Sequence, residues 1–201
     1  MKNILNLNFF IKKYVIKREE SLFRHDLLIH NDELQNKINN KSFLVIGGAG
    51  TIGSSYIKAL LKFRPIKLII VDINENGLTE LVRDLRSSKS LNIPNKIITY
   101  PVDFGDKIFE KIFKNHGPFE IVANFAAHKH VRTEKDVFSI EAMIENNVLK
   151  AHKLLNLLLE FPPEHFFCVS SDKAANPVNI MGASKKLMEE VIIAYSSVIP
   201  I

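Results

Sequence analysis

Phe43-Leu44-Val45-Ile46-Gly47-Gly48-Ala49-Gly50-Thr51-Ile52-Gly53 decides how the chain is read. Four successive apolar residues describe a strand covered on both faces. Glycines at 47, 50 and 53 then follow in the pattern G-x-x-G-x-x-G and lead into a helix. Where a strand turns into a helix in this way, the missing Cβ atoms let backbone N–H groups approach a diphosphate at the helix N-terminus. Gly48 and Gly53 also have the G-x-x-x-x-G spacing of a P-loop, but Ser54 stands where that loop requires its lysine. The setting favours cofactor binding over a merely structural turn, and it nominates Gly47, Gly50, Thr51, Ile52 and Gly53 as cofactor-binding residues.

Outward from this loop, short apolar runs alternate with helical patterns, the signature of a parallel α/β sheet. Strands are expected at 43–46, 67–71, 96–100, 121–125 and 165–169. One long helix is expected over about 134–160, ended by Phe161-Pro162-Pro163. The last residues, Tyr195 to Ile201, read as a helix exit entering a sixth strand. Residues 1–41, rich in Asn and Lys, break the rhythm and are expected to form a helical N-terminal extension to a domain at 42–201.

Asp72 ends the second strand 19 residues after Gly53, near the roughly 20-residue spacing at which an acid hydrogen-bonds the adenosine ribose. A carboxylate there favours NAD and repels the 2′-phosphate of NADP, although Arg83 or Arg86 could soften the repulsion. Asp103 follows the third strand, where an adenine-contacting acid and a plain helix N-cap fit equally well. Ser170-Ser171-Asp172-Lys173 follows the fifth strand, and Met181-Gly182-Ala183-Ser184-Lys185 opens the next helix. Both lie at carboxyl ends of strands, the edge at which open α/β sheets bind ligands. Hydroxyl, carboxylate and ammonium groups can converge there on a sugar or alcohol, and this reading outweighs a solvated turn pair.

Composition bounds the alternatives. The 201 residues are 46% hydrophobic and 24% charged, globular values that exclude a disordered or disulfide-stapled chain. Twenty-seven basic against 22 acidic residues leave +5, with no basic stripe, so nucleic acid is not an expected partner. Met1 to Asn6 lack an uninterrupted apolar core and an A-x-A-like cleavage site, so a secretory signal is not expected, and no apolar stretch of about 18 residues occurs; a soluble cytoplasmic protein is expected. The single cysteine, Cys168, lies in an apolar run and reads as a small buried hydrophobe. His128 and His130 alternate, but no Cys or acid cluster completes a metal site. Lys129 fits a substrate or diphosphate contact and a surface lysine equally, with Glu134 and Lys135 behind it. Asn147 is expected to order the neighbouring loop.

These residues resemble the extended short-chain dehydrogenases, and within them the nucleotide-sugar 4,6-dehydratases of polysaccharide biosynthesis that act on UDP-N-acetylglucosamine. The resemblance runs through the glycine loop, Asn124-Phe125-Ala126-Ala127-His128-Lys129-His130-Val131, Glu145-Asn146-Asn147-Val148, and Ser170 to Pro177 on to Met181-Gly182-Ala183-Ser184-Lys185. It implies a Rossmann-type doubly wound parallel sheet that stops before the family's C-terminal substrate region. It also implies NAD and a UDP-sugar as ligands, Ala126 at the cofactor, and pairing of helices in a homo-oligomer. By the same resemblance Lys173 is the base at C5 of the sugar, Asp172 the acid for the C6 oxygen and Ser171 the partner of the C4 oxygen. Lys185 would hold the nicotinamide ribose. Met181 departs from the wider family, which places a catalytic tyrosine four residues before the lysine; a thioether cannot take a proton. That lowers the standing of a 4-epimerase and hands the first deprotonation to Asp172, Lys173 or water. A truncated NAD-binding module without activity is the other reading.

Overall fold

The computed structural model describes residues 7–17, 20, 22–88, 91–129, 134 and 136–200. The chain divides into two compact units, Met1–Lys37 and Ile38–Ile201. The first holds α1 (Leu7–Phe10), which continues as a π-helical turn over Ile11–Ile16, then α2 (Arg24–Ile29) and most of α3 (Asn31–Ile38). It closes at Lys37, short of residue 41. The reason lies in the second unit: Ile38 packs against one of that unit's apolar clusters, Asn40 N donates to Arg64 O and Ile66 N donates to Lys41 O.

The second unit is built on β1 (Ser42–Ile46), β2 (Lys67–Asp72), β3 (Lys96–Pro101), β4 (Ile121–Asn124) and β5 (His165–Cys168), all parallel, in the order β3-β2-β1-β4-β5. The helices are α4 (Thr51–Leu60), α5 (Glu75–Ser87), α6 (Lys107–His116), α7 (Val137–Ile144), α8 (Lys150–Glu160) and α9 (Ile180–Tyr195). Alternation along each strand sends neighbours to opposite faces. Phe43, Val45, Leu68, Ile70 and Ala123 meet Ile57 and Leu60 of α4 and Leu78, Leu81 and Leu85 of α5. Leu44, Ile46, Ile69, Val71, Val122 and Phe166 meet α6, α8 and α9 through residues such as Phe109, Phe113, Leu154, Leu155 and Met188. Both faces are covered, which is why the strands read as unbroken apolar runs and not as alternating ones. Each fully buried side chain of this size contributes about 1.5–3 kcal/mol of transfer free energy.

The strand order reverses between β1 and β4, and chain direction places every carboxyl end on one edge. The ladder outlasts the assigned strands there, since Phe125 N donates to Ile46 O at 2.8 Å and Val169 N to Asn124 O at 3.1 Å.

Two expectations change. The helix expected over 134–160 starts at Val137, because Asp136 accepts from Phe138 N and Ser139 N as its N-cap. It is also interrupted by a π-helical segment, Glu145–Leu149, between α7 and α8. No sixth strand forms among the described residues. After α9 the chain turns through Ser196–Ser197, and Pro200 O then reaches the edge of β5, accepting from Phe166 N at 2.8 Å.

Cys168 has its Sγ 3.5 Å from Met188 Sδ, and burial pushes its thiol from the ordinary 9.0 up to about 11. Since only the thiolate is nucleophilic, alkylation by iodoacetamide at pH 8 is expected to run about a hundredfold slower in the folded chain than in urea, from thiolate fraction alone. Equal rates in the two states would show that the thiol is not buried.

Candidate functional site

A cleft of about 190 Å³ opens at the carboxyl ends of β1, β2 and β4. Among its lining residues are Gly47, Gly50, Asp72, Asp103, Ala126 and Lys129, so six sequence-selected positions from four separate segments come together. The glycine loop shapes its floor. Gly47 sits at φ +75°, and a Cβ there would lie 2.6 Å from Ala126 N and 2.8 Å from Phe125 C. A Cβ on Gly53 would lie 2.3 Å from Gly47 O, so the first turn of α4 can pack on the loop only with glycine there. α4 begins at Gly50 without any side-chain cap, which leaves the donors of its first turn facing the cleft end of the sheet. Thr51 and Ile52 belong to that turn, and neither they nor Gly53 line the cleft.

Asp72 is held from both sides. One carboxylate oxygen accepts from Ala49 N and the other from Asn74 N, each at 2.9 Å. Each oxygen keeps a further lone pair for a hydroxyl group, so loop and acid form one preset unit. Arg83 pairs with Glu80 on the exposed face of α5. Asp103 is no helix N-cap, because α6 is entered from Asp106. Instead its Oδ1 accepts from Gly105 N at 2.8 Å and its Oδ2 pairs with Lys150 Nζ at 2.5 Å. That hydrogen-bonded pair holds the Asp103 carboxyl below its ordinary range against the opposing effect of burial.

The residues selected for chemistry lie outside the cleft lining, at the end of β5 and the start of α9. Ser171 caps a short 3-10 turn, Asp172–Ala174, by accepting from Lys173 N at 3.1 Å. Lys173 Nζ stands 3.3 Å from Asp172 Oδ1, and the ammonium lowers the Asp172 carboxyl. The turn is docked on α9, since a Cβ on Gly182 would lie 2.5 Å from Lys173 O. Lys185 is buried, and its Nζ donates to Val169 O at 2.8 Å and approaches Met188 Sδ at 3.4 Å. Burial pushes its pKa down. One of its three donors remains for a ligand. Met181 is also buried, and its thioether carries no titratable proton.

A chain of hydrogen bonds joins the two halves of the site. Asn147 accepts from His128 N at 2.8 Å and donates to His128 O and Ser184 Oγ, each at 2.9 Å. Ser184 Oγ donates to Met181 O at 2.8 Å, and Met181 N donates to Glu134 Oε1 at 2.6 Å. Asn147 thus orders the loop after β4 from within the π segment. Glu134 serves the start of α9, a role that its spacing did not reveal. Lys150 was likewise invisible in the sequence, whereas Asn146 and Asn124, whose Oδ1 accepts from Ala126 N at 3.0 Å, stood in it within the stretches that carry the resemblance. His130 and Lys135 lie outside the described residues. Among those described, no group of three or more His, Cys, Asp and Glu side chains could hold a metal. A larger hollow of about 710 Å³ at the amino ends of the strands, near Ser42, Lys67 and Glu120, contains none of these groups.

The profile of the family described as "Polysaccharide biosynthesis protein" matches residues 43–199. The uncharacterized membrane protein MJ1061 of Methanocaldococcus jannaschii is 35% identical over 163 residues, 81% of this chain and 45% of that protein. The inverting UDP-N-acetylglucosamine 4,6-dehydratase of Campylobacter jejuni is 28% identical over 162 residues, with 80% and 45% covered. A UDP-glucose 4-epimerase of Rickettsia typhi is 30% identical over 156 residues, with 77% and 43% covered. The crystal structure of Bordetella bronchiseptica WbmF in complex with NAD+ superposes with a TM-score of 0.61 at 20% identity, covering 80% of this chain and 47% of that one. The fold is Rossmann-type, and the chain spans about half the length of the relatives it matches. No helix among the described residues is long and apolar enough to cross a membrane.

Proposed function

This chain belongs to the polysaccharide biosynthesis protein family, and on that premise we propose that it is the cofactor-binding part of an NAD-dependent nucleotide-sugar 4,6-dehydratase. The substrate is a UDP-N-acetylhexosamine, with UDP-N-acetylglucosamine the first to test, and the product is a 4-keto-6-deoxy sugar nucleotide for surface glycans. One observation carries the reading. A glycine loop and Asp72 share a cleft on the same sheet edge that bears the Ser171-Asp172-Lys173 turn.

The residues fit a dinucleotide. The uncapped first turn of α4 suits a diphosphate, the spare lone pairs of Asp72 suit a ribose diol, and Lys185 has a donor left for the second ribose. When bound, NAD would take a hydride from C4 of the sugar and return it at C6. The C4 ketone acidifies the C5 proton, which Lys173 removes as a neutral amine. Asp172, as the carboxylic acid, protonates the C6 oxygen, which leaves as water. The pair then stands as the ion pair seen in the structure, and the Lys173 ammonium gives its proton back to C5. Ser171 holds the C4 oxygen. The C4 hydroxyl proton ends on Asp172, directly or relayed by Lys173 or water, because Met181 cannot accept it; the pair therefore enters the elimination as carboxylic acid and neutral amine. A 4-epimerase is the second reading, supported by the Rickettsia relative and opposed by Met181.

Incubation of the purified chain with NAD and UDP-N-acetylglucosamine, followed by mass spectrometry, tests the proposal. Loss of one water supports the dehydratase. A product of unchanged mass but altered hexose supports the epimerase. NAD binding by calorimetry without turnover supports a cofactor-binding module, and absence of NAD binding sinks the cofactor reading.

A further inference from the structure

Lys150 stands at the first position of α8, directly after the π segment that carries Asn146 and Asn147. Its side chain leaves solvent to meet Asp103. The pair is 2.5 Å apart with side chains 16% and 30% exposed, unlike the open ion pairs on the rest of the surface. The stem of Lys150 lies over Gly105, where an added Cβ would come within 2.8 Å of its methylenes, and the ammonium is 5.9 Å from the centre of the Phe104 ring. Asp103 and Phe104 both line the cleft. One side chain from a distant helix therefore braces two adjacent residues of the cleft wall.

The bracing fixes both oxygens of Asp103, Oδ1 on Gly105 N and Oδ2 on Lys150 Nζ. A carboxylate held in this way is an acceptor only, with a lone pair left on each oxygen. It lies one strand beyond Asp72, on the side away from the glycine loop, where the base of a dinucleotide would follow its ribose. An acceptor at that position suits a base edge carrying an exocyclic amine and opposes one carrying a carbonyl oxygen.

Taking Asp103 as the adenine-contacting acid already expected from the sequence, we propose that Lys150 is a positioning residue that holds that carboxylate in the cleft, and so sets selectivity for the base. This rests on the cofactor reading above. The experiment is calorimetric titration with NAD and with nicotinamide hypoxanthine dinucleotide, whose base has a carbonyl in place of the amine. The chain is compared with Lys150→Met, Lys150→Arg, Asp103→Asn and the Asp103→Asn/Lys150→Met pair, with melting temperatures recorded for each. The unchanged chain is expected to prefer NAD at least tenfold. Lys150→Met should lose at least fivefold in NAD affinity and most of the preference, Lys150→Arg should keep both, and Lys150→Met should cost less than twofold in the Asp103→Asn background. An unaltered preference in Lys150→Met, or an equal loss with and without Asp103, would overturn the assignment while leaving the cofactor reading intact. If the unchanged chain binds neither dinucleotide, both fall together.

Discussion

Gly47→Ala is expected to lower the melting temperature by roughly 4–20 °C and to abolish dinucleotide binding. Two costs coincide at this residue. Its φ of +75° is a conformation that costs an L-residue about 1–2 kcal/mol. The new Cβ would also lie 2.6 Å from Ala126 N and 2.8 Å from Phe125 C, backbone atoms that cannot swing aside; overpacking of this kind costs about 1–3 kcal/mol. The sum of about 2–5 kcal/mol converts at about 2–4 °C per kcal/mol for a domain of this size. Gly50→Ala is the control. Its Cβ would meet Gly47 O at 3.4 Å, an ordinary contact, so its stability cost stays under about 1 kcal/mol while binding of a diphosphate is still obstructed. Thermal unfolding followed by circular dichroism, beside calorimetry with NAD, separates the two effects. A Gly47→Ala chain that melts within about 2 °C of the unchanged one would refute the strain argument.

Asp172→Asn and Lys173→Met are each expected to slow water elimination by roughly 100- to 10,000-fold, the range over which a positioned acid or base contributes. Stability should hardly move. The two side chains are 87% and 50% exposed, and exposed substitutions of this kind stay within about 0.5 kcal/mol. Because the two groups pass protons as one unit, the double variant should be little slower than the worse single one. Turnover is measured by mass spectrometry of the sugar nucleotide, with NAD affinity as the check that the cofactor still binds. Either single variant retaining turnover within threefold would remove the pair from the chemistry.

How much of this was legible in advance depends on how local the determinant is. The strands were readable because burial on both faces forces continuous apolar runs such as Leu68-Ile69-Ile70-Val71, all fully buried. The glycine loop was readable because three absent Cβ atoms at fixed spacing serve one turn. The π segment at Glu145–Leu149 gives no such signal, since its apolar positions follow the same helical spacing as those of α7 and α8. Past α9 the composition of Val198-Ile199-Pro200 points to strand pairing, and among the described residues that pairing is the bond from Phe166 N to Pro200 O.

By itself the sequence determined a parallel α/β domain with a dinucleotide-type loop and an acid at the right distance, because these depend on period, on side-chain absence and on spacing along one segment. Only the tertiary structure decided what Asp103 does, what holds the start of α9 and which residues share the cleft. The pairs Asp103–Lys150 and Glu134–Met181 each join residues 47 apart, and Asn147 reaches both His128 and Ser184. A charged or amide side chain has many candidate partners in a sequence. It acquires one when packing of the apolar faces brings two distant backbones within a hydrogen bond of each other.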